Sequence, residues 1–260
     1  MPTRSGVSSA PRLLTLAAIL CAALASQRAA AQGTSPPVDA ESRFNTGVEH
    51  LRAGRVDLAV EEFQRAIKDD PKNPYFRKGL GLAYAQQKKY KEAVEAFQKA
   101  LELNPYYVDV RNDLGTALLL SGRREEGRQE FLKAFGDPTN PTPELSARNL
   151  GQAYLEDQNY TQALSWFQSS LAKNNEYPDA YLGIADTLVA SNRLDDAIAQ
   201  LEVGARLLPE QWPVILALGE AYYRAGRFGD ARAKLELVAT KEPGGPSGRR
   251  AAELLGKFPK

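Results

Sequence analysis

Small and apolar residues recur along the chain in pairs of helical segments, at a period of about 34 residues. In each pair, a small residue on the first segment is followed twelve positions later by Ala or Gly, and four positions after that by Phe or Leu. The spacing of four keeps the last two residues on one helix face, and the small residues let the two helices approach closely. The pattern predicts six helix pairs, anchored at Gly47/Ala59/Phe63, Gly81/Ala93/Phe97, Gly115/Gly127/Phe131, Gly151/Ala163/Phe167, Ala185/Ala197/Leu201 and Gly219/Ala231/Leu235.

This period is that of the tetratricopeptide repeat, a helix–turn–helix unit that stacks into a right-handed α-solenoid. The small anchors are spaced 34, 34, 36, 34 and 34 residues apart. We therefore predict an all-α chain in which each repeat buries its apolar faces only by stacking on its neighbours. The predicted organisation is a signal sequence (1–31), a flexible lead-in (32–39), six repeats (40–73, 74–107, 108–141, 144–177, 178–211 and 212–245) and a capping helix (246–260).

The turn inside each repeat requires one residue in the left-handed conformation, which Gly and Asn adopt at low cost. Lys88 and Gln158 stand at this place in the second and fourth repeats, so we expect those two turns to be strained or differently shaped. The other four repeats carry Gly54, Gly122, Asn192 and Gly226.

The N-terminus has the features of an export signal. Arg4 and Arg12 precede an apolar run over 13–25, and small residues at 29–31 predict cleavage before Gln32. The run is too short to span a bilayer comfortably, although an uncleaved membrane anchor is the alternative. Cys21, the single cysteine, is a candidate lipidation site, but Leu20 stands where a lipoprotein signal has a small residue. We expect an exported, periplasmic protein.

Composition argues against several classes of function. The formal net charge is +1 and no basic stripe emerges, so we expect no nucleic-acid partner. With one histidine and one cysteine, the chain has no ligand set for zinc or an iron–sulfur cluster, and we expect no cofactor. His50 falls where later repeats have Tyr84, Tyr154 and Tyr222, which favours a packing role over catalysis. We expect that the protein is not an enzyme.

In this architecture, one face of the first helix of each repeat lines a concave groove. Its residues are mostly apolar with isolated polar groups, which suits an amphipathic helix or an extended apolar segment of a protein partner. Lys78 is accompanied by Leu82 rather than Asn, so the Lys/Asn/Arg clamp for a C-terminal carboxylate is absent. The alternative is that some of these side chains pack within the solenoid or beneath the lead-in. The predicted groove residues are Phe44, Val48, Leu51, Tyr75, Lys78, Leu82, Asn112, Thr116, Leu119, Arg148, Gln152, Leu155, Leu182, Asp186, Leu216 and Tyr223.

The period breaks once, between the third and fourth repeats, in the segment FLKAFGDPTNPTPELSARNLGQAY (131–154). An F-x-x-A helix end leads there into a Pro-rich link and then into an N-x-G helix start. This segment resembles the pilotin-type tetratricopeptide-repeat proteins of bacterial type IV pilus assembly, the PilF, PilW and Tgl kind. Six repeats behind an export signal, over 40–245, match that family as well. The matching residues are Phe131, Ala134, Asp137, Pro138, Pro141, Pro143, Asn149 and Gly151.

The resemblance implies a non-enzymatic assembly factor on the periplasmic face of the outer membrane. Such a factor binds an outer-membrane secretin and promotes its multimerisation or insertion. Members of that family are usually lipoproteins, and the sequence before Cys21 departs from this. Membrane association would come through a lipid anchor or through the partner. The alternative function is that of a generic periplasmic adaptor for envelope or cell-wall protein complexes.

Overall fold

The computed structural model describes residues 39–258, which form thirteen helices and no strand. The expected signal sequence, Cys21 and nearly all of the lead-in lie outside these residues. The all-α fold of consecutive helix pairs predicted from the period is confirmed. The helices are α1 (Ala40–Arg52), α2 (Val56–Asp69), α3 (Pro74–Gln86), α4 (Tyr90–Leu103), α5 (Val108–Leu120), α6 (Arg124–Gly136), α7 (Pro143–Glu156), α8 (Tyr160–Lys173), α9 (Pro178–Ala190), α10 (Leu194–Leu207), α11 (Trp212–Arg224), α12 (Phe228–Lys241) and α13 (Pro246–Leu255).

The described residues divide into two compact units. The first ends at Lys72 and contains α1 and α2, and the second begins at Asn73 and contains α3 to α13. In the first unit, the fully buried Phe63 ring packs against Gly47 and lies 5.5 Å from the Phe44 ring, centroid to centroid. In the second unit, each helix packs on the next one along the chain. None of the helices within 39–258 combines the length and apolar character that crossing a bilayer requires.

The helices of the second unit form two layers. The first helices of successive pairs, α3, α5, α7, α9 and α11, contact one another in turn, and α13 continues this row. The second helices, α4, α6, α8, α10 and α12, contact only their neighbours along the chain within residues 73–258. The first helices therefore make a continuous inner layer, which is where the groove was predicted.

In the first four helix pairs, a phenylalanine ring of the second helix packs on a glycine of the first. A Cβ atom built on Gly81 would lie 2.5 Å from the Phe97 ring, and one built on Gly151 would lie 2.8 Å from the Phe167 ring. The Phe167 ring also meets Gly183 of α9, so it is confined between glycines of two successive repeats. Because the ring is held from both sides and fully buried, it has no room to yield to an added methyl group.

Replacing Gly151 by Ala is expected to lower the free energy of unfolding by about 1–3 kcal/mol, because the new methyl group overpacks this contact. Urea unfolding followed by circular dichroism measures the change. Gly229→Ala is the matched control, since no atom lies within 4 Å of the added Cβ. Within helix α12 that control should stabilise the protein by about 0.5–1 kcal/mol. Equal effects of the two substitutions would contradict the packing argument.

All six turns inside the helix pairs adopt the same left-handed geometry. Lys88 has φ 60° and Gln158 has φ 59°, close to the 59° of Asn192. Both turns close with the backbone bonds of a helix C-cap, such as Lys89 N–H to the Tyr84 carbonyl at 2.9 Å. Of the two expectations for the second and fourth repeats, strain is therefore correct and a different shape is wrong. The remaining left-handed residues are Gly54, Gly122 and Gly226.

Gln158→Gly is expected to stabilise the protein by about 0.5–1 kcal/mol, since a left-handed side chain costs about 1–2 kcal/mol and Gly returns part of that gain through its backbone entropy. The same substitution at Gln168, an exposed residue within α8, should instead destabilise by about 1 kcal/mol. Thermal unfolding of the two variants measures both effects. Destabilisation by Gln158→Gly would show that this turn carries no strain.

The two extra residues of the broken period lie in the connector between α6 and α7. This connector has six residues, whereas the other connectors between pairs have four. The buried side chain of Asn140 fixes it: Nδ2 donates to the Ala134 carbonyl at 2.7 Å and to Ser146 Oγ at 3.2 Å, and Oδ1 accepts from Thr142 N–H at 2.9 Å. The Pro-rich link is therefore an ordered loop held to both flanking helices.

Two arginines of α6 join the third and fourth repeats across this link. Arg124 Nε lies 2.6 Å from Asp157 Oδ1, and its Nη2 donates to the Ala153 carbonyl at 3.1 Å. Arg128 also pairs with Asp157, and its guanidinium lies 5.2 Å from the centre of the Tyr154 ring. Because both cations share one carboxylate, these contacts form a network that outweighs isolated surface pairs.

The C-terminal helix α13 packs against α11 and α12. Its Ala251 and Leu254 are buried, as is Phe258 just beyond the helix end. The Phe258 ring lies 5.0 Å from that of Tyr223 and 6.1 Å from that of Phe228, both edge-on. The segment thus covers apolar surface of the last helix pair, which a solenoid end requires.

Candidate partner-binding groove

Three predicted groove residues belong to the first unit. Phe44, Val48 and Leu51 recur at intervals of three and four residues on α1, so they share one face of that helix. Each is half-buried. The tilted contact between Phe44 and Phe63 occupies part of the Phe44 ring.

The other thirteen predicted groove residues lie on the inner layer of the second unit. Tyr75, Leu82, Thr116 and Asp186 are exposed, with Tyr75 at 56% and Leu82 at 37%. Asn112 is the exception, because only 5% of it is exposed and it lies beneath the surface. The half-buried residues are Lys78, Leu119, Arg148, Gln152, Leu155, Leu182, Leu216 and Tyr223.

The structure brings four of these residues together around an open depression of about 110 Å³ between α5 and α7. They are Thr116, Leu119, Arg148 and Gln152. Its rim also includes residues that sequence reasoning missed, namely Leu120, Asn149 and Glu156. Each of the three directly follows a predicted groove residue along its helix, so a predicted groove face one residue wider would have included them.

Lys78 lies at the α3–α5 contact and faces two carboxylates. Its Nζ is 3.7 Å from Asp109 Oδ2 and 4.0 Å from Asp113 Oδ2, and it lies 5.0 Å from the centre of the Tyr107 ring. The Tyr75 and Tyr107 rings meet edge-on at 5.3 Å. We call these five residues the acidic corner. Sequence reasoning missed Tyr107, Asp109 and Asp113.

The acidic corner carries one ammonium and two carboxylates. Burial raises the pKa of Asp113 to about 6, with a further contribution from Asp109, while Lys78 opposes the shift. The same burial raises the pKa of the Tyr107 hydroxyl to about 12. An anion placed at Lys78 would meet both carboxylates and be repelled by them.

Asn112 follows Asp109 by three positions on α5 and immediately precedes Asp113. Its Nδ2 and Oδ1 atoms are both buried and have no hydrogen-bond partner among the described residues. Leaving such an amide unpaired costs on the order of 1–3 kcal/mol. The inner helix α5 therefore retains unused hydrogen-bonding capacity beneath the surface.

The C-terminal end of the inner layer carries two carboxylates, Asp186 and Glu220, together with Arg224 and Arg250. Although Asp186 is exposed as a whole residue, partial desolvation of its carboxyl raises the pKa; Arg224 opposes this shift and Glu220 adds to it. Glu220 accepts a hydrogen bond from Arg250 of α13 at 3.0 Å. Tyr223 packs its ring against Phe228 and Phe258, so the predicted groove residue at this end also anchors the C-terminal segment.

The described residues include no cluster of three or more His, Cys, Asp or Glu side chains that could hold a metal ion. His50 Nδ1 accepts a hydrogen bond from Arg55 Nε at 3.0 Å, across the turn between α1 and α2. The inner layer offers an extended surface for binding. Paired helices with a continuous inner face define a helical-repeat scaffold for protein partners.

The chain belongs to the tetratricopeptide-repeat family. One model of the tetratricopeptide repeat matches residues 21–74, 44–108, 182–248 and 216–258, which together make up more than half of the chain. A second matches residues 84–141 and 154–207. Proteins of this family are typically non-catalytic scaffolds for protein–protein interaction.

Solved structures share the fold. PilW, described as a widely conserved type IV pilus biogenesis factor, is 23% identical with a TM-score of 0.65, and the match covers 84% of this chain and 100% of PilW. PilF of Pseudomonas aeruginosa is 22% identical with a TM-score of 0.61, over 81% of this chain and 95% of PilF. A tetratricopeptide-repeat protein of Parabacteroides merdae is 20% identical with a TM-score of 0.58, over 77% and 79% of the two chains. A search of curated protein sequences found no significant match.

Asp113→Asn is expected to raise the free energy of unfolding at neutral pH. The carboxyl ionises near its ordinary value of 3.8 when unfolded and at about 6 when folded. A raised folded-state pKa means that ionisation destabilises the fold, by an amount that grows as the pH rises from about 4 to about 6 and is constant above.

The stabilisation by Asp113→Asn should therefore shrink between about pH 7.5 and about pH 4.5. Urea unfolding of wild type and variant at both values measures it. Asp195→Asn, an exposed carboxylate in the first turn of α10, is the control and should change stability little. A gain that is larger in acid would contradict the assignment.

Proposed function

We propose that the protein is a non-catalytic assembly factor that binds an outer-membrane secretin and promotes its multimerisation or insertion during type IV pilus biogenesis. The observation that carries the proposal is the extent of the likeness to the two pilus proteins. The match takes in all of PilW and 95% of PilF. The length of the helical array is therefore shared, in addition to the type of repeat.

The groove supports this role through its mixed chemistry. Leu82, Leu119 and Leu155 offer apolar surface along successive inner helices, and the depression between α5 and α7 can receive a side chain. An amphipathic segment of a partner would bury its apolar face there and keep its polar face towards solvent. Covering such a segment before a ring assembles would keep subunits from associating prematurely.

The same proposal locates the protein in the periplasm, associated with the outer membrane. It is supported by the basic residues and apolar run that precede Gln32. Attachment would come through lipidation of Cys21 or, after cleavage behind Ala31, through the partner alone.

Deleting the gene in its host tests the function directly. Secretin multimers that resist detergent and heat should disappear from membrane fractions while secretin monomer remains, and surface pili should be lost with them. Re-expression of the wild-type protein is the control. Unchanged multimers and normal pili would overturn the proposal and leave an adaptor for other envelope complexes.

Leu82→Glu tests the groove itself. Its side chain is 37% exposed, so the charge should leave the fold intact yet weaken secretin binding at least tenfold, because a carboxylate replaces apolar contact area. Leu103→Glu is the matched control, because Leu103 is 39% exposed but lies on the second helix α4. Pull-down of the secretin with both folded variants gives the comparison. Equal binding by the two would reject the groove as the binding site.

A further inference from the structure

We propose that the depression between α5 and α7 holds an extended segment of the protein partner, by the main chain of that segment and by one aliphatic side chain. The inference rests on the proposed partner-binding role. It decides between the two kinds of segment that suit the groove, an amphipathic helix and an extended strand. It assigns Asn149 and Gln152 as the residues that bind the main chain.

The two walls of the depression differ in chemistry. The α5 wall carries Leu119, Leu120 and Thr116, with Leu120 55% exposed, and the almost fully buried Phe131 of α6 also lines the depression. The α7 wall is polar throughout, with Arg148, Asn149, Gln152 and Glu156. An occupant must therefore be apolar on the side of α5 and polar on the side of α7.

The depression has room for one aliphatic side chain. Its volume of about 110 Å³ is roughly four times the ~30 Å³ that a water molecule takes up in the liquid. It therefore fits about four non-hydrogen atoms, which is the size of a leucine, isoleucine or methionine side chain. Placing such a side chain against Leu119 and Leu120 removes apolar surface of both partners from water.

Asn149 and Gln152 each offer the segment one unused hydrogen-bonding atom. Arg148 Nη1 donates to Asn149 Oδ1 at 3.2 Å, which leaves the donor Nδ2 without a partner among residues 39–258. Gln152 Nε2 donates to Glu156 Oε1 at 3.3 Å, which leaves the acceptor Oε1 unpaired within the described part of the chain. Glu156 is itself held by Arg124 at 3.2 Å. Each of the two amides is thus oriented by a charged neighbour.

One donor and one acceptor, three residues apart on α7, match the hydrogen-bonding groups of an extended main chain. A carbonyl of the segment accepts from Asn149 Nδ2, and an N–H of the segment donates to Gln152 Oε1. A helix has these groups bonded internally, and its apolar side chains recur over successive turns, which the polar α7 wall does not match. The depression therefore selects an extended segment.

The test is a titration of the protein with N-acetyl-glycyl-leucyl-glycinamide, followed in NMR spectra. The backbone amides of 116–120 and 148–152 should shift and saturate, together with the side-chain amide signals of Asn149 and Gln152. A form methylated at the leucine and following glycine nitrogens lacks those N–H donors and should bind about three- to tenfold more weakly. An alanine peptide should bind at least about tenfold more weakly. Binding that is unaffected by methylation would overturn the proposal.

Gln152→Met locates the main-chain contact, because it removes the acceptor at nearly the same side-chain size. The variant should bind the unmethylated peptide about three- to tenfold more weakly and should no longer distinguish it from the methylated form. Gln200→Met is the matched control, since Gln200 is also a half-buried glutamine but lies on the outer helix α10. It should bind both peptides as wild type does. Discrimination that survives Gln152→Met would reject the main-chain contact.

Leu120→Ser locates the side-chain contact. It should weaken binding of the leucine peptide several-fold and leave binding of the alanine peptide almost unchanged, because the smaller side chain gains little from the apolar wall. Leu207→Ser, at a leucine of α10 that is 48% exposed, is the control and should change neither. Equal losses for the two peptides with Leu120→Ser would contradict the placement of the side chain.

These outcomes are independent of the secretin experiment. Peptide binding as expected together with unchanged secretin multimers would refute the proposed function alone. Lost multimers without peptide binding that depends on the N–H groups would refute this inference alone.

Discussion

The contact of a phenylalanine ring with a bare glycine backbone is the constraint on which the first three helix pairs of the second unit depend. Phe97, Phe131 and Phe167 each rest on a glycine of the paired helix and are almost completely buried. Because nothing but a hydrogen fits between ring and backbone, this contact sets the distance between the two helices of a repeat. That distance in turn lets the inner helices touch one another. The groove on the inner layer is thus a consequence of the ring–glycine contacts between the two layers of helices.

The sequence predicts the fold well because its determinants are local or repeat at fixed spacing. Gly151 and Phe167 are 16 residues apart, and their recurrence in other repeats predicts the helix pair without long-range information. The turn at Gln158 is harder to predict, since glutamine does not favour the left-handed conformation that it adopts there. The left-handed turn at Gln158 can be predicted only from its equivalents in other repeats, where glycine adopts this conformation freely. At Gln158 the packing of the two flanking helices enforces it.

The candidate site is less predictable, because it depends on how far side chains reach across neighbouring helices. Lys78, Asn112 and Arg148 occupy equivalent places in three repeats, yet Asn112 is buried and the two longer side chains reach the surface. Tyr107 stands before α5 and joins the corner only through the approach of α3. A periodic count identifies the inner face of a helix but not the depth or the charge of what lies on it.

The arginines beside the Pro-rich link have a consequence for how the array comes apart. In a linear stack, stability is the sum of terms for each repeat and for each junction. Arg124 and Arg128 strengthen the junction between the third and fourth repeats, which has α3 to α6 of the second unit on one side and α7 to α13 on the other. Unfolding that starts at the C-terminal end should therefore be slowed when it reaches this junction. The depression between α5 and α7 spans that junction, so it is the last stretch of groove to lose its shape.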